Sequence, residues 1–241
     1  MKLYDDVITR WGTLVEGRPN RSLKVSDELA WNDAGKSNMV LRSDMAYELG
    51  GSVTSMPALG ATAVTDSKEL VPEDEIILVG PDLKDISADV PYARIAIARV
   101  NEQEMGEGNK LYNAIRKIEY VRYHVSPEGF MMRVSSIRER ESVRVSKDAI
   151  SRGMDFEKVG NLMIKEYHEN PNIEAVKVIF ITDSEFPFNE LEEDIKLSEK
   201  ITKTIDHMFK NVIMDCGACS LQEVCDEVEG MKELHFGMSK E

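Results

Sequence analysis

Apolar positions along the chain alternate between helical and strand spacing. Leu3, Val7, Ile8, Trp11 and Leu14 fall on one face of a helix, which predicts a short amphipathic helix over residues 1–16. Gly17 and Pro19 stop it. Residues 17–37 are polar and turn-rich and read as an ordered loop. Asn38 to Arg42 are strand-like, Glu48 to Ser52 read as a turn, and residues 52–65 hold a weak strand. Glu75 to Gly80 is a continuous apolar run ended by Gly80, Pro81 and Asp82, the mark of a buried strand. Ala93 to Val100 predicts a second buried strand, and a helix follows over roughly residues 110–122.

Phe130 to Val134 and Ser142 to Val145 read as paired strands joined by the charged run Arg138, Glu139, Arg140, Glu141. A helix near 155–168 puts Phe156, Val159, Met163, Ile164 and Tyr167 on one face, and Val176 to Ile181 is another buried strand. The longest helix starts at Pro187, a favourable first-turn residue. It runs to about residue 210 with Phe188, Leu191, Ile195, Ile201, Ile205 and Met208 as its apolar stripe. Strands and helices that mix without strict alternation predict an α+β (mixed α/β) fold, a mixed sheet flanked by helices. The expected division is an α/β domain over residues 1–210 and a small helical, cysteine-containing tail over 211–241.

Composition narrows the function. The chain has 241 residues, 42% hydrophobic and 31% charged, enough to bury a substantial core. Its net charge of −14, from 30 basic and 44 acidic residues, argues against nucleic acid as a partner, because phosphate binding needs a basic excess. No apolar run approaches the ~20 residues of a membrane span. The N-terminus turns acidic at Asp5 and Asp6, unlike a secretory signal, so a cytoplasmic location away from membranes is expected.

The chemistry concentrates near the C-terminus. All three cysteines, Cys216, Cys219 and Cys225, lie within ten residues, and His235 completes the spacing C-x2-C-x5-C-x9-H. Tight spacing and an odd count argue against disulfides. Three thiolates and an imidazole could hold a [4Fe–4S] cluster or a tetrahedral Zn²⁺, with Asp215, Asp226, a water or a partner chain as alternatives to His235 in the fourth position. The plainer alternative is a packed helix, since Ser220 to Cys225 has a helical pattern. A thioredoxin-type redox pair fits poorly, because the CxxC follows a long helix rather than a strand. Arg133, Arg138, Arg140 and Arg144 could clamp an anionic ligand through bidentate guanidinium contacts. The competing expectation is a solvated hairpin tip, because Glu139 and Glu141 interleave with them. Gly106 and Gly108 bracket Glu107 before a helix, yet the wrong charge and missing third glycine favour a plain loop. His124, His168 and His207 read as surface residues.

Several segments together carry a resemblance. They are Ser37 to Gly51 (SNMVLRSDMAYELGG), Ile77 to Leu83 (ILVGPDL), Val143 to Ala149 (VRVSKDA), Gly160 to Leu162, and Ile181 to Asp183. Their content and order are similar to the middle domain of the acetyl-CoA synthase β subunit of the carbon monoxide dehydrogenase/acetyl-CoA synthase (acetyl-CoA decarbonylase/synthase) complex. In that family an iron–sulfur motif, C-x2-C…C-x9-C, holds a cluster bridged to a dinickel centre. That centre joins CO, a methyl group from a corrinoid protein, and coenzyme A. The resemblance matches Cys216, Cys219 and Cys225 to the first three cysteines and puts His235 at the fourth. The family's nickel-binding Cys-Gly-Cys and its N-terminal docking domain have no counterpart in these residues. The resemblance therefore implies a truncated relative that binds an iron–sulfur cluster and serves electron transfer or docking of a protein partner in anaerobic one-carbon or corrinoid metabolism. Coenzyme A binding through the arginine group is a further implication, without the family's tryptophan. The alternatives are a zinc-stabilised binding module and a coenzyme A-binding acyltransferase component.

Overall fold

The computed structural model describes residues 2–28, 30–51, 56–107, 109–134, 140–210, 222–228 and 231, the side chains of 209 and 210 excepted. Its frame is a mixed five-stranded sheet. The strands, in spatial order, are β1 (Asn20–Leu23), β4 (Glu75–Val79), β8 (Ile173–Ile181), β5 (Tyr92–Val100) and β3 (Ala58–Thr65). The β4–β8 and β5–β3 pairs are parallel; β1–β4 and β8–β5 are antiparallel. A second, antiparallel sheet of three strands has the order β2 (Ala46–Leu49), β7 (Glu141–Ser146), β6 (Phe130–Val134). The expected α+β class and the buried strands are thus present, but the sheet is divided in two.

The longer helices form where the pattern predicts them, and Asn101, Ser146 and Asp155 serve as side-chain N-caps. α1 (Asp5–Glu16) carries Asp5 and Asp6 in its first turn, where carboxylates complement the helix dipole, and buries Val7, Ile8, Trp11 and Val15. α2 (Glu102–Met105) is a single turn capped by Asn101. α3 (Asn109–Tyr120) continues into a 3-10 turn, Val121–Tyr123. Ser146 caps α4 (Lys147–Ser151) and Asp155 caps α5 (Phe156–His168), each accepting from the backbone N–H three residues on. α6 (Phe188–Lys210) packs on α1, α3 and β3, and α5 covers β8 and β4. The short α7 (Gln222–Glu227) lies against α6, with Val224 and Met231 buried in the same apolar cluster as the rest of the chain.

Three local expectations change. Residues 38–42 do not form a strand. Asp44 Oδ2 accepts the Leu41 N–H at 2.6 Å and closes a 3-10 turn over Arg42–Asp44, and Met45 follows at φ 50°, so the strand begins only at Ala46. The expected turn starts later, at Gly50 (φ 65°), because Glu48 and Leu49 pair with β7. β1 lies inside the expected loop. Its NRSL sequence has no apolar alternation, being an edge strand held by pairing with β4.

The register across the main sheet decides what faces the smaller one. Gly60 pairs with Arg94, Arg94 with Phe180, Phe180 with Leu78, and Leu78 with Arg21. Directly paired residues share a face, so these five form one transverse row. Phe180 stacks on Phe156 of α5, with centroids 4.6 Å apart, and Phe156 meets Phe130 of β6 edge-on at 6.3 Å. Arg94 and Gly60 face β7.

Candidate functional site

The arginine hairpin is where sequence and structure can be compared most directly. Arg144, on β7, turns inward: its Nε and Nη2 donate to Glu48 Oε1 at 3.1 and 2.7 Å, and its Nη1 donates to the Val40 carbonyl at 3.2 Å. Arg133, on β6, lies 3.6 Å from the same Glu48 oxygen and remains exposed. Arg140 is exposed just before β7, and Arg138 lies outside the described residues. The structure therefore brings Arg133 and Arg144 together, but on a protein carboxylate. The Arg144 hydrogen bonds hold the Glu48 carboxyl below the usual glutamate range against the opposing effect of burial, with the charges of Arg144, Arg42 and Arg133 adding to them.

Glu141 overturns the expectation of a solvated, ion-paired hairpin tip for its own position. It is fully buried and forms a two-point ion pair with the equally buried Arg94: Nε to Oε1 at 2.7 Å and Nη2 to Oε2 at 2.9 Å. Arg94 Nη1 donates to the Ala61 carbonyl at 3.2 Å. Burial alone would lower the Arg94 pKa, but the charge and hydrogen bonds of Glu141 more than offset this and raise it. Arg122, buried in the turn after α3, approaches Glu141 Oε2 to 3.9 Å. A Cβ on Gly60 would fall 2.6 Å from that oxygen, so glycine is what admits the Glu141 side chain. The signal for this arrangement is the arginine in the middle of the buried strand YARIAIARV, since a fully buried arginine requires a counter-charge. Arg99 of the same strand obeys the same rule, donating to the Val71 and Pro72 carbonyls at 2.6 and 2.7 Å and pairing with Glu174.

The segments behind the family resemblance prove to be framework. Asp82 is buried, and its Oδ1 accepts from the Leu83 and Phe156 N–H groups at 2.7 and 3.0 Å, tying the end of β4 to the start of α5. Thr182 Oγ1 donates to the Pro81 carbonyl at 2.6 Å, and Gly80 (φ 101°) lies so close to Asp183 that a Cβ would meet its nitrogen at 2.4 Å. Asn161 accepts from the Ser26 N–H and donates to the Lys24 carbonyl, fixing the chain after β1. Asn38 bonds the Phe130 carbonyl and the Gly129 N–H, laying its segment along β6.

Of the four metal-ligand candidates, Cys225 lies on α7, half-buried and packed on the core. Cys216, Cys219 and His235 lie outside the described residues. Among the described residues no group of three or more histidine, cysteine or acidic side chains gathers as a metal centre. The thiolate-rich donor set is chemically suited to an iron–sulfur cluster or zinc, and a half-buried Cys225 would give such a group a partly shielded edge. His124 and His168 are exposed as expected, His168 beside Asp74, whereas His207 is half-buried on α6. Gly106 closes α2 at φ 73°, and Gly108 lies outside the described residues. No described helix is long and apolar enough to cross a membrane.

These features define an α+β domain whose recurring motifs bind its own strands, turns and caps together. Residues 29–186 match the family of CO dehydrogenase/acetyl-CoA synthase complex beta subunits, and the chain belongs to that family. Acetyl-CoA decarbonylase/synthase complex subunit beta 1 of Methanosarcina thermophila is 28% identical over 176 residues, which are 72% of this chain and 34% of that protein. Subunits beta 1 and beta 2 of Methanosarcina mazei are each 27% identical over the same lengths. The chain thus spans about a third of the length of the curated relatives it matches.

Proposed function

We propose that this chain is a cluster-bearing docking component of a CO dehydrogenase/acetyl-CoA synthase-related system. It would bind one [4Fe–4S] cluster through Cys216, Cys219, Cys225 and His235, and engage a protein partner in CO- or corrinoid-linked one-carbon metabolism. The observation that carries this reading is the family match over residues 29–186 followed, after α6, by the C-x2-C-x5-C-x9-H donor set. When bound, the cluster would supply one-electron chemistry; an imidazole ligand in place of a thiolate would raise its potential, as in Rieske centres. Of the four donors, Cys225 is anchored by the packing of α7 on α6. Protein purified and reconstituted without oxygen should contain about four irons with matching labile sulfide, and Cys225→Ser should reduce both. A preparation with neither iron nor sulfide refutes the reading. One zinc per chain without sulfide replaces it with a zinc-stabilised interaction module.

A second reading concerns coenzyme A. Arg133 on β6 and Arg140 just before β7 are exposed, and the segment before β2 leaves Met39, Leu41 and Met45 uncovered, a combination suited to an anionic ligand with an apolar part. Coenzyme A should then bind with an affinity that falls in an Arg133→Ala, Arg140→Ala double variant. Absence of binding in the parent excludes it.

A further inference from the structure

The two sheets differ in how their edges are closed. In the main sheet β3 lies against α3 and α6, and β1 is a polar strand with mostly exposed side chains. In the smaller sheet β2 is closed by Asp89 and Val90. The Glu48 N–H donates to Asp89 Oδ1 at 2.9 Å, and the Val90 N–H donates to the Glu48 carbonyl at 3.2 Å. β6 has no such cover: among the described residues no strand pairs with its outer side.

The phase of the ladder decides what this side presents. The Ser146 N–H donates to the Gly129 carbonyl at 2.8 Å. Bonded residues recur at every second position of an antiparallel ladder, so Met131 and Arg133 bond β7. The N–H and C=O groups of Phe130, Met132 and Val134 therefore point away from β7. Those of Phe130 are occupied, the N–H by the Pro127 carbonyl and the C=O by the Asn38 side chain. Met132 and Val134 each keep an outward N–H and C=O for which the described residues supply no partner. Side chains alternate along the strand. Phe130, Met132 and Val134 share the inner face with the buried Val143 and Val145, and Met131 and Arg133 share the outer face with Ser142 and Arg144.

Charge narrows what can pair there. Arg133 and Arg140 are exposed, and residues 130–147 hold five basic and two acidic residues in a chain of 30 and 44. One of the two acids, Glu141, is buried against Arg94, and the Glu48 carboxylate near Arg133 is already bonded by Arg144. A second copy of β6 would bring like charges together, which disfavours self-pairing at this edge.

We infer that the outer edge of β6 is a docking edge for a partner protein, which adds an extended acidic segment to the smaller sheet as a fourth, antiparallel strand. Paired residues share a face, so the segment is apolar opposite Met132 and Val134 and carries an aspartate or glutamate opposite Arg133. Its pattern is apolar, acidic, apolar. Backbone bonds to Met132 and Val134 give attachment, and the pair with Arg133 gives selectivity. The inference rests on the docking role proposed above only for the existence of a protein partner.

The test uses the full chain and a synthetic Val-Glu-Val-Glu-Val peptide, followed by backbone amide NMR. The Met132 and Val134 amide signals should shift along a saturating curve. A peptide of equal composition and charge, Val-Val-Val-Glu-Glu, should bind several-fold more weakly. N-methylation of the valine nitrogens, which face β6 in antiparallel pairing, should abolish binding, and N-methylation of the glutamate nitrogens should not. Arg133→Glu alters an exposed side chain. It should weaken the glutamate peptide about fivefold or more and make Val-Lys-Val-Lys-Val the better ligand. The inference is overturned if the first peptide does not bind, if the reordered or valine-methylated peptide binds equally well, or if Arg133→Glu keeps the preference for glutamate. Metal loading does not enter this measurement. A chain without iron therefore refutes the cluster alone, and a chain that holds the cluster but not the peptide refutes the docking edge alone.

Discussion

Removing the charge of Glu141 while keeping its shape, by Glu141→Gln, should be among the most damaging single substitutions in this domain. Both members of the Arg94–Glu141 pair are fully buried, and Arg122 stands 3.9 Å away as a second guanidinium. At a separation of about 4 Å and an effective dielectric near 20, one such attraction amounts to about 4 kcal/mol. Breaking a buried pair from one side typically costs about 3–5 kcal/mol, because the remaining charge is stranded. Here two cations are stranded, so Glu141→Gln is expected at the upper end of that range. Arg94→Met is expected to cost less. It removes one cation and leaves Glu141 facing Arg122, which can close the short remaining distance. Urea unfolding followed by far-UV circular dichroism would measure both, with the slope unchanged if the folded states keep their compactness. A loss below about 1 kcal/mol for Glu141→Gln, or a larger loss for Arg94→Met than for Glu141→Gln, would refute the reasoning.

Glu48→Gln should cost about 1–3 kcal/mol near neutral pH by weakening the Arg144 clamp. Because the Glu48 pKa is depressed in the fold, its contribution is complete above the ordinary glutamate value of about 4.3 and fades as pH falls through the folded pKa. Parent and Glu48→Gln stabilities should therefore converge below that pH, and parallel curves in acid would contradict the assignment. Using the difference between the two proteins matters, since burial raises the pKa values of Asp5 and Asp194 and so opposes the trend in the parent alone. Asp82→Ala orphans the Leu83 and Phe156 N–H groups and should cost about 2–4 kcal/mol; Asp82→Asn, which retains an acceptor, should cost clearly less. Gly80→Ala adds a steric clash to positive-φ strain, whereas Gly153→Ala (φ 96°) meets open space, so calorimetric melting should drop much further for the first.

Apolar spacing made most of the frame legible. The runs at Glu75–Val79 and Tyr92–Val100 and the stripes of α5 and α6 appear where periodicity places them, because each buries a continuous or one-faced apolar surface that no other conformation satisfies. What stayed hidden depends on partners distant in sequence. β1 exists only through its ladder to β4, and the Arg42–Asp44 turn only because Asp44 captures a backbone N–H ahead of strand pairing. In the hairpin, Arg133 and Arg144 were identifiable as a charged group, but their acceptor, Glu48, comes from a strand more than eighty residues earlier. Glu141 reads as a surface charge among charges until the register of β3, β5 and β7 sets it over Gly60 and Arg94.

That pattern bears on how the family resemblance relates to chemistry. The segments that carry it converge on one another: ILVGPDL meets Ile181 to Asp183 through Gly80, Pro81 and Thr182, and VRVSKDA meets Ser37 to Gly51 through Arg144 and Glu48. Side chains committed to each other in this way hold the fold without fixing what the fold presents. Outside this web of paired side chains stand the exposed Arg140 and, beyond α6 in the sequence, the cysteine and histidine donor set. A substitution inside the frame, such as Glu141→Gln, should therefore alter stability without regard to any ligand.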